Sequence, residues 1–155
     1  MIRLRFETTV ASSPAQVWSR VATMPGVNAE LMPILCMTYP SALASLDTAP
    51  PDLLGKLAFK SWVLLFGFLP VDRHYLSLER LLPGEGFDER SWSWSQRLWI
   101  HRRRLRAAAG GTSITDELEV EPRFKVAAPF LRWFITRIFR HRHRQLQKQF
   151  GVADG

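Results

Sequence analysis

The C-terminal segment, residues 125–150, has the spacing of one long amphipathic helix, and this feature constrains the fold most. Apolar residues recur three and four positions apart along it, and basic residues occupy the opposite side. The apolar face consists of Leu131, Ile135, Ile138, Phe139, Leu146 and Phe150, and the basic face of Arg137, Arg140, Arg144 and Lys148. A helix with such a face packs on an apolar layer, so the rest of the chain must supply one.

One arginine of this helix is out of place. At about 100° per residue, Arg142 falls near the centre of the apolar face. A charged group there is costly unless it is paired or reaches a polar cavity. Its long side chain can also extend along the apolar surface and place the guanidinium in water at a cavity rim. We therefore predict a polar partner or a cavity beneath the helix.

The first forty residues predict a strand and two short helices. Residues 2–10 alternate between apolar and polar side chains, which is typical of a half-buried strand. Ser13 and Pro14 then predict a helix start, and Pro25 with Gly26 predicts its stop. A second short helix is expected at about residues 27–31, ended by Pro33.

The middle of the chain predicts mostly strands. Residues 34–39 form a short candidate, and residues 40–51, rich in Ser, Ala and Pro, indicate a loop or distorted edge. Longer strands are expected at residues 56–66, 71–82, 87–95, 97–106 and 112–121. This order predicts an α+β fold of the helix-grip type. A curved antiparallel sheet of about seven strands wraps around the long C-terminal helix, and two short helices follow the first strand.

Length and composition limit the alternatives. The chain has 155 residues, 46% of them hydrophobic, which suits one domain with a substantial core. A strongly curved sheet rarely closes fully against one helix, so we expect an interior cavity that binds a ligand. The single cysteine, Cys36, excludes an internal disulfide. The longest apolar run, residues 62–71, is too short to span a bilayer as a helix. We expect a soluble, cytoplasmic protein.

The net charge of +7 is concentrated in the second half of the chain. Residues 1–89 hold 7 Lys and Arg against 9 Asp and Glu, whereas residues 90–155 hold 14 against 5. A solubilising face is the favoured interpretation, because no aromatic stacking positions or known nucleic-acid motifs are interleaved with the charges. We therefore predict no nucleic-acid partner.

Asp116 is the first candidate site residue. Residues 112–121 alternate, and Asp116 shares the inward face with Ile114, Leu118 and Val120. Across the turn at residues 107–111, the opposite residue is Arg102 if residues 106 and 112 pair, or His101 if the register slips by one. Either would form a buried pair with Asp116, to which Arg142 adds a guanidinium. A structural polar cluster and a ligand anchor both fit these residues.

Other candidates lie on neighbouring strands and on the helix. His74 and Trp99 fall on inward faces, where a hydrogen-bonded core histidine and an aromatic cavity wall are the ordinary interpretations. His141 and His143 lie about 200° apart around the helix, so they cannot hold one metal ion together. His141 is expected to face solvent. We predict neither a metal site nor a cofactor.

Two surface features suggest contacts. Trp133 lies beside Arg137, Arg140 and Arg144, a combination that suits transient contact with an anionic membrane. A dimer contact, or cover by the loop at residues 40–51, are the alternatives. An outward apolar surplus at Trp62, Leu64 and Phe66 likewise suggests a homodimer.

The chain resembles a known superfamily along nearly its whole length. The opening stretch FETTVASSPAQVWSRVATMPGV is similar to that family's first strand and helix, and IFRHRHRQLQKQF to its closing helix. LPVDRHYL, Trp99-Ile100-His101 and GGTSITDELEVEPR resemble its later strands. The superfamily is the START-like, or SRPBCC, group of polyketide cyclase/dehydrase and lipid-transport domains, which shares the fold of the birch-pollen allergen. The resemblance implies that residues 1–155 form a single START-like domain with a hydrophobic-ligand cavity between sheet and last helix.

The leading functional hypothesis is a non-enzymatic carrier or sensor of a lipid, isoprenoid or polyketide-like molecule. Its expected ligand-binding residues are Arg142, Asp116, His101, Arg102, Trp99, His74, Ile138 and Leu118. The alternative is an enzyme of the cyclase/aromatase or dehydratase kind, with Asp116 and His101 as general base and acid. A third hypothesis is a protein-interaction module that uses the basic helix face.

Overall fold

The computed structural model describes residues 1–153 and confirms the predicted α+β architecture. The strands are β1 (Ile2–Val10), β2 (Leu35–Met37), β3 (Leu57–Leu65), β4 (Leu69–Leu82), β5 (Gly86–Ser93), β6 (Gln96–Ala108) and β7 (Gly111–Pro122). The α-helices are α1 (Pro14–Val21), α2 (Met24–Leu31) and α3 (Ala128–Phe150). The seven strands form one antiparallel sheet in the order β1-β7-β6-β5-β4-β3-β2. It curls into a half-barrel, with α3 packed on the concave face.

The helix boundaries follow their capping residues. The Ser13 hydroxyl accepts a hydrogen bond from the Gln16 amide at 3.3 Å, and the Gln16 side chain accepts one from the Ser13 amide at 3.0 Å. This reciprocal capping box fixes the predicted start of α1. The predicted stop was wrong in one respect, because Pro25 and Gly26 belong to the first turn of α2. Thr23 caps that helix, and a proline fits a first turn because its missing N–H has no partner there.

The long helix α3 buries the face that its pattern predicts. Ile135, Ile138 and Phe139 pack with Leu118 and Val120 of β7. Further along the helix, a second cluster surrounds Leu146 and contains Val10, Val17, Leu105 and Ile114. Most buried residues of this second cluster lie away from the cavity that the first cluster borders.

The segment at residues 40–51 is more ordered than a plain loop. Short 3-10 helices occupy Ser41–Leu43, Leu46–Thr48 and Pro51–Leu53. The Met24 amide donates to the Ala44 carbonyl at 2.7 Å, and the Trp18 indole donates to Asp47 at 3.0 Å. The segment therefore packs against α1 and α2, and Trp133, 56% exposed, is not covered by it.

Candidate functional site

A cavity of about 420 Å³ lies between the concave face of the sheet and helices α2 and α3. Most of its wall is apolar, as expected where a curved sheet meets a single long helix. Its apolar lining includes Val27, Leu35, Phe59, Val63, Leu65, Leu76, Leu78, Trp99, Leu131, Phe134, Ile135 and Ile138. The polar lining consists chiefly of Asp72, His74, Glu89, Gln96, His101 and Arg142. The cavity thus combines a large apolar volume with a few charged groups, which is the composition of a small-molecule site.

His74 and Glu89 form a cavity-facing pair, named here the cavity pair. The His74 Nε2 atom lies 2.6 Å from Glu89 Oε2, which also accepts a hydrogen bond from the Ser91 hydroxyl at 2.7 Å. On β5 and β6, Glu89 and His101 stand directly opposite each other. Their side chains therefore project to the same concave side, with His101 Nδ1 3.8 Å from Glu89 Oε1.

The histidines keep Glu89 ionised. Burial alone would raise the pKa of the Glu89 carboxyl, but hydrogen bonds and charge from His101 and His74 outweigh it and hold the pKa below its ordinary value. The ring of His74 also stands edge-on to Trp99, with centroids 6.1 Å apart. The pair is therefore a fixed hydrogen-bonding group with an ionised carboxylate at the edge of an apolar space.

A second polar group lies behind the cavity wall, and we name it the buried ion cluster: Glu30, Arg103 and Asp116. Arg103 donates to both oxygens of Glu30, at 2.8 and 3.0 Å, and to both oxygens of Asp116, at 2.7 and 2.8 Å. All three residues are 0% exposed. None of them lines the cavity.

Arginine charge keeps both acids of this cluster ionised. Burial favours protonated carboxyls, but Arg103 and Arg142 outweigh it at Glu30 and lower its pKa. Arg103 and His101 lower the pKa of Asp116 well below its ordinary value. The same two acids raise the pKa of Arg103 against the opposite effect of burial. The cluster is consequently charged at every ordinary pH.

Arg142 links the buried ion cluster to the cavity. Its Nε atom donates to Glu30 Oε1 at 3.1 Å, and its guanidinium stacks 4.8 Å from the centroid of Phe139. Arg142 also lines the cavity. Within residues 1–153, its terminal Nη1 and Nη2 atoms make no hydrogen bond, and His143 Nδ1 is the one buried side-chain nitrogen or oxygen without a partner. The terminal nitrogens of Arg142 are therefore open to the cavity and have donors to spare.

The hairpin register differs from both predicted alternatives. Arg103 stands opposite Asp116, because Ala108 pairs with Gly111 and the loop has only two residues, Ala109 and Gly110. His101 lies diagonally across and still reaches Asp116, with Nε2 2.7 Å from Oδ1.

Arg102 does not occupy the inward position that one of the predicted alternatives gave it. It projects to the outer face of the sheet, donates to Glu119 at 3.3 Å and does not line the cavity. The one-residue difference in register places every β6 side chain on the opposite face from the arrangement that would have paired Arg102 with Asp116.

The other predicted site residues fall into two groups. Arg142, His101, Trp99, His74 and Ile138 line the cavity. Asp116 and Leu118 lie behind its wall, so Asp116 does not face a ligand. The expected contact between Arg142 and Asp116 was also wrong, because the carboxylate that meets Arg142 belongs to Glu30.

One histidine of α3 differs from expectation. His141 was predicted to face solvent but is 8% exposed, and its Nε2 atom lies 2.8 Å from the Met32 carbonyl. His143 Nε2 lies 2.8 Å from Asp116 Oδ2. His141 is buried because α2 packs beside α3, a contact that helix periodicity alone does not reveal, whereas His143 is buried against Asp116 and Phe6 of the sheet. In the described part of the chain, no group of three or more metal-ligating side chains is arranged to hold a metal ion.

Three functional residues were missed from the sequence. Glu89 shares a strand face with Phe87, Ser91 and Ser93, and this alternation was the available signal. Arg103 has the same parity as His101, so it could have been placed inward with it. Glu30 lies on a helix of eight residues with no clear amphipathic pattern, and its partners are distant in sequence.

Comparison with known proteins identifies the family. The family model described as "Domain of unknown function (DUF8410)" matches residues 8–150. The chain belongs to this family. No curated protein matches it. Membership of the DUF8410 family does not by itself assign an activity.

Solved structures confirm the START-like fold of this DUF8410 protein. A START superfamily protein from Mycobacterium smegmatis is 10% identical, with a TM-score of 0.66 over 96% of each chain. Ara h 8.0201 is 11% identical, with a TM-score of 0.59 over 95% of this chain and 98% of that one. A protein of Chromobacterium violaceum is 14% identical, with a TM-score of 0.68 over 97% and 99%. At these identities the likeness concerns the fold alone. Among residues 1–153, no helix is long and apolar enough to cross a membrane.

Proposed function

We propose that this DUF8410 protein is a carrier or sensor that holds an amphipathic small molecule, with an apolar body and an acidic end, in the cavity. The observation that carries the proposal is the position of Arg142. Its terminal nitrogens open into an apolar cavity of about 420 Å³ and have no acceptor in the described chain. A carboxylate or similar anion is the partner that a guanidinium fork binds best.

Hydrogen-bond accounting supports an acceptor as the end group of the ligand. The buried ion cluster alone has two carboxylates and one guanidinium, and the bond from Arg142 to Glu30 compensates the excess negative charge. Glu89 is engaged by His74, His101 and Ser91. The charged group with unused hydrogen-bonding capacity towards the cavity is therefore the guanidinium of Arg142, which is a donor. The apolar lining, from Phe59 and Val63 to Trp99 and Ile138, provides room for a hydrocarbon or fused-ring body.

A matched pair of ligands tests the acidic end. Ligand-depleted protein is loaded with the neutral dye N-phenyl-1-naphthylamine, which dodecanoic acid or dodecanol then displaces. The acid should bind about tenfold or more tightly than the alcohol, because a hydrogen bond to a charged group contributes about 1.5–3 kcal/mol. In Arg142→Gln the preference should disappear through weaker binding of the acid. Equal affinities in the unaltered protein would contradict an anionic anchor.

A second matched pair tests the cavity itself. Val63 lines the cavity, whereas its neighbour Leu64 does not. Val63→Trp should therefore block dye and both ligands, and Leu64→Trp should leave them unchanged. Failure of the folded protein to bind dye, acid and alcohol alike would contradict the carrier proposal. If the protein does bind the dye, mass spectrometry of solvent extracts from the freshly purified protein would identify the natural ligand.

The cavity pair favours a second candidate function, an enzyme of the cyclase or dehydratase kind. Asp116 does not reach the cavity, so the group that meets a substrate would be His74, oriented by Glu89 at 2.6 Å. An imidazole held by a carboxylate is a common general base. This alternative predicts turnover of a bound molecule that depends on His74, whereas the carrier proposal predicts binding alone.

A further inference from the structure

The exposed apolar side chains of the protein are concentrated at one end. Of the fifteen exposed large hydrophobic residues in the described chain, ten lie on the β3–β4 hairpin, the β5–β6 turn, the start of α3 or the adjoining end of α2. These ten are Met32, Phe66, Phe68, Leu69, Val71, Trp94, Phe124, Val126, Phe130 and Trp133. We name them the apolar tip. Phe68 is 73% exposed and Val126 is 90% exposed, so the surface is open to solvent. Exposed apolar surface of this extent is uncommon without a partner.

The segments of the apolar tip are fixed to one another. The Arg123 amide donates to the Ser95 carbonyl at 3.0 Å, which joins the start of α3 to the β5–β6 turn. The Ser95 amide in turn donates to the Asp72 carboxylate at 3.3 Å, which joins that turn to β4. On the other side, the Phe66 amide donates to the Ile34 carbonyl at 2.8 Å. The tip is therefore one continuous surface.

Phe66 has an unusual backbone conformation. Its φ of 56° lies in the left-handed region, which a bulky side chain seldom adopts, and its ring is 61% exposed. The conformation leaves a phenylalanine mostly exposed at the end of a hairpin. Strain of this kind commonly marks a contact site.

The charges beside the apolar tip are mainly positive. Four exposed basic residues accompany the start of α3: Arg123, Lys125, Arg132 and Arg137. The nearby acids are less available, because Asp72 is held by the hydroxyls of Ser93 and Ser95 and Glu121 is half-buried. Apolar side chains surrounded by basic ones fit an anionic lipid surface. Two copies of this tip would repel each other.

The apolar tip also marks the opening of the cavity. Phe130 and Val71 line the cavity and are at the same time 61% and 48% exposed. A ligand that enters or leaves between them passes through the tip. We propose that the apolar tip docks on anionic lipid bilayers, with its aromatic rings in the headgroup region and the cavity opening against the bilayer. The proposal goes beyond ligand binding, because most residues of the tip, Phe66 and Phe68 among them, do not line the cavity.

Sedimentation with vesicles tests the docking. The protein should co-sediment with vesicles of phosphatidylcholine and phosphatidylglycerol in equal amounts, bind at least tenfold more weakly to phosphatidylcholine alone, and detach in high salt. Phe66→Ser combined with Phe68→Ser should weaken binding at least tenfold, and so should Arg132→Glu combined with Arg137→Glu. All four side chains are on the surface, so the variants should fold, which thermal unfolding checks.

Controls come from the opposite end of the sheet. Leu54→Ser combined with Leu57→Ser, and Arg106→Glu, change exposed residues far from the tip and should leave vesicle binding unchanged. Equal loss in these controls would show non-specific adsorption and overturn the proposal. Absence of binding to anionic vesicles would also overturn it. So would a dimer, seen by sedimentation equilibrium, that Phe66→Ser with Phe68→Ser dissociates, because the tip would then bind a second copy.

Discussion

The buried ion cluster and the cavity pair contain the same kinds of group in different surroundings. Glu30, Arg103 and Asp116 are fully enclosed and bind one another with all their carboxylate oxygens. His74 and Glu89 are equally close, at 2.6 Å, but they face an apolar cavity. The comparison teaches that a buried charge in this fold is not by itself a functional site. Access to the cavity separates a group enclosed within the fold from one that a cavity ligand can reach.

His101 lies between the two groups and shows how they are joined. Its Nε2 atom is 2.7 Å from Asp116, and its ring stands edge-on to Phe139 with centroids 5.2 Å apart. The charges on the cavity wall are therefore backed by a second layer that fixes their positions. Three predictions follow the contrast between the layers, beginning with the largest effect on stability.

Arg103→Leu should give the largest loss of stability. It leaves Glu30 and Asp116 as buried carboxylates without their main counter-charge, and removal of one partner from a buried ion pair typically costs about 3–5 kcal/mol. Chemical denaturation at neutral pH measures the change in the free energy of unfolding. The matched control is Arg102→Leu, whose side chain is on the outer face and 38% exposed. It should cost about 1 kcal/mol or less.

Equal effects of the two substitutions would contradict the role assigned to Arg103. Substitution of the complete cluster by apolar residues of similar volume is a sharper version of the test, because a buried ion cluster can often be replaced without loss. If the apolar version folds and still binds the dye, the cluster is not needed to position the cavity wall and contributes only to folding. If it folds and loses the dye, the cluster positions the cavity wall.

Acid should destabilise the protein through both groups. The pKa values of Glu30, Glu89 and Asp116 are lowered in the folded state, so each contributes stability above its ordinary pKa that is lost as the pH falls. Below the ordinary value of 4.5 for glutamate, the unfolded carboxyl binds a proton while the folded one stays ionised. Each carboxyl then lowers the free energy of unfolding by about 1.4 kcal/mol per pH unit.

Glu89→Gln separates the cavity pair from the cluster in the same experiment. Urea unfolding between about pH 4.5 and pH 3.5 should show a slope smaller by about 1 kcal/mol per pH unit than in the unaltered protein, because one of three carboxyls no longer titrates. The remaining slope belongs to Glu30 and Asp116. An unchanged slope would mean that Glu89 is not ionised in the folded protein at these pH values.

The sequence predicted the charged residues of the cavity wall better than those of the buried ion cluster behind it. The period of α3 placed Arg142 on the buried face without knowledge of any other element, because helical spacing is a local property. The alternation of β4 likewise placed His74 inward, whereas that of β6 left Arg102 and His101 as alternatives. The curved sheet around one helix and its cavity followed from the order of elements, the START-like family from resemblance, and the position of the cavity opening from neither.

The positions of the residues behind the cavity wall depended on contacts between segments that are distant in the sequence. Glu30 meets partners 73 and 112 positions away in the chain, so nothing near it in sequence indicates a buried acid. Arg103 depended on whether the β6–β7 loop has two residues, and a difference of one exchanges the inner and outer faces. His141 depended on the carbonyl of Met32, whose position is set by the packing of α2 on α3.

His74→Gln should have the smallest effect on stability and a distinct effect on the cavity. Glutamine can still donate to Glu89, so the free energy of unfolding should fall by only about 1 kcal/mol. The edge-on contact with Trp99 is lost, and a carboxamide replaces the imidazole at the cavity wall. Dye displacement by dodecanoic acid should weaken severalfold, whereas His141→Gln, a change outside the cavity lining, should leave it unaltered. If the protein is a carrier, the variant should still bind the natural ligand and there is no turnover to lose. If the protein is an enzyme that uses His74 as a base, the variant should still bind the substrate but lose turnover. If dye displacement is equally affected in both variants, the cavity pair has no special access to ligand, and its difference from the buried ion cluster disappears.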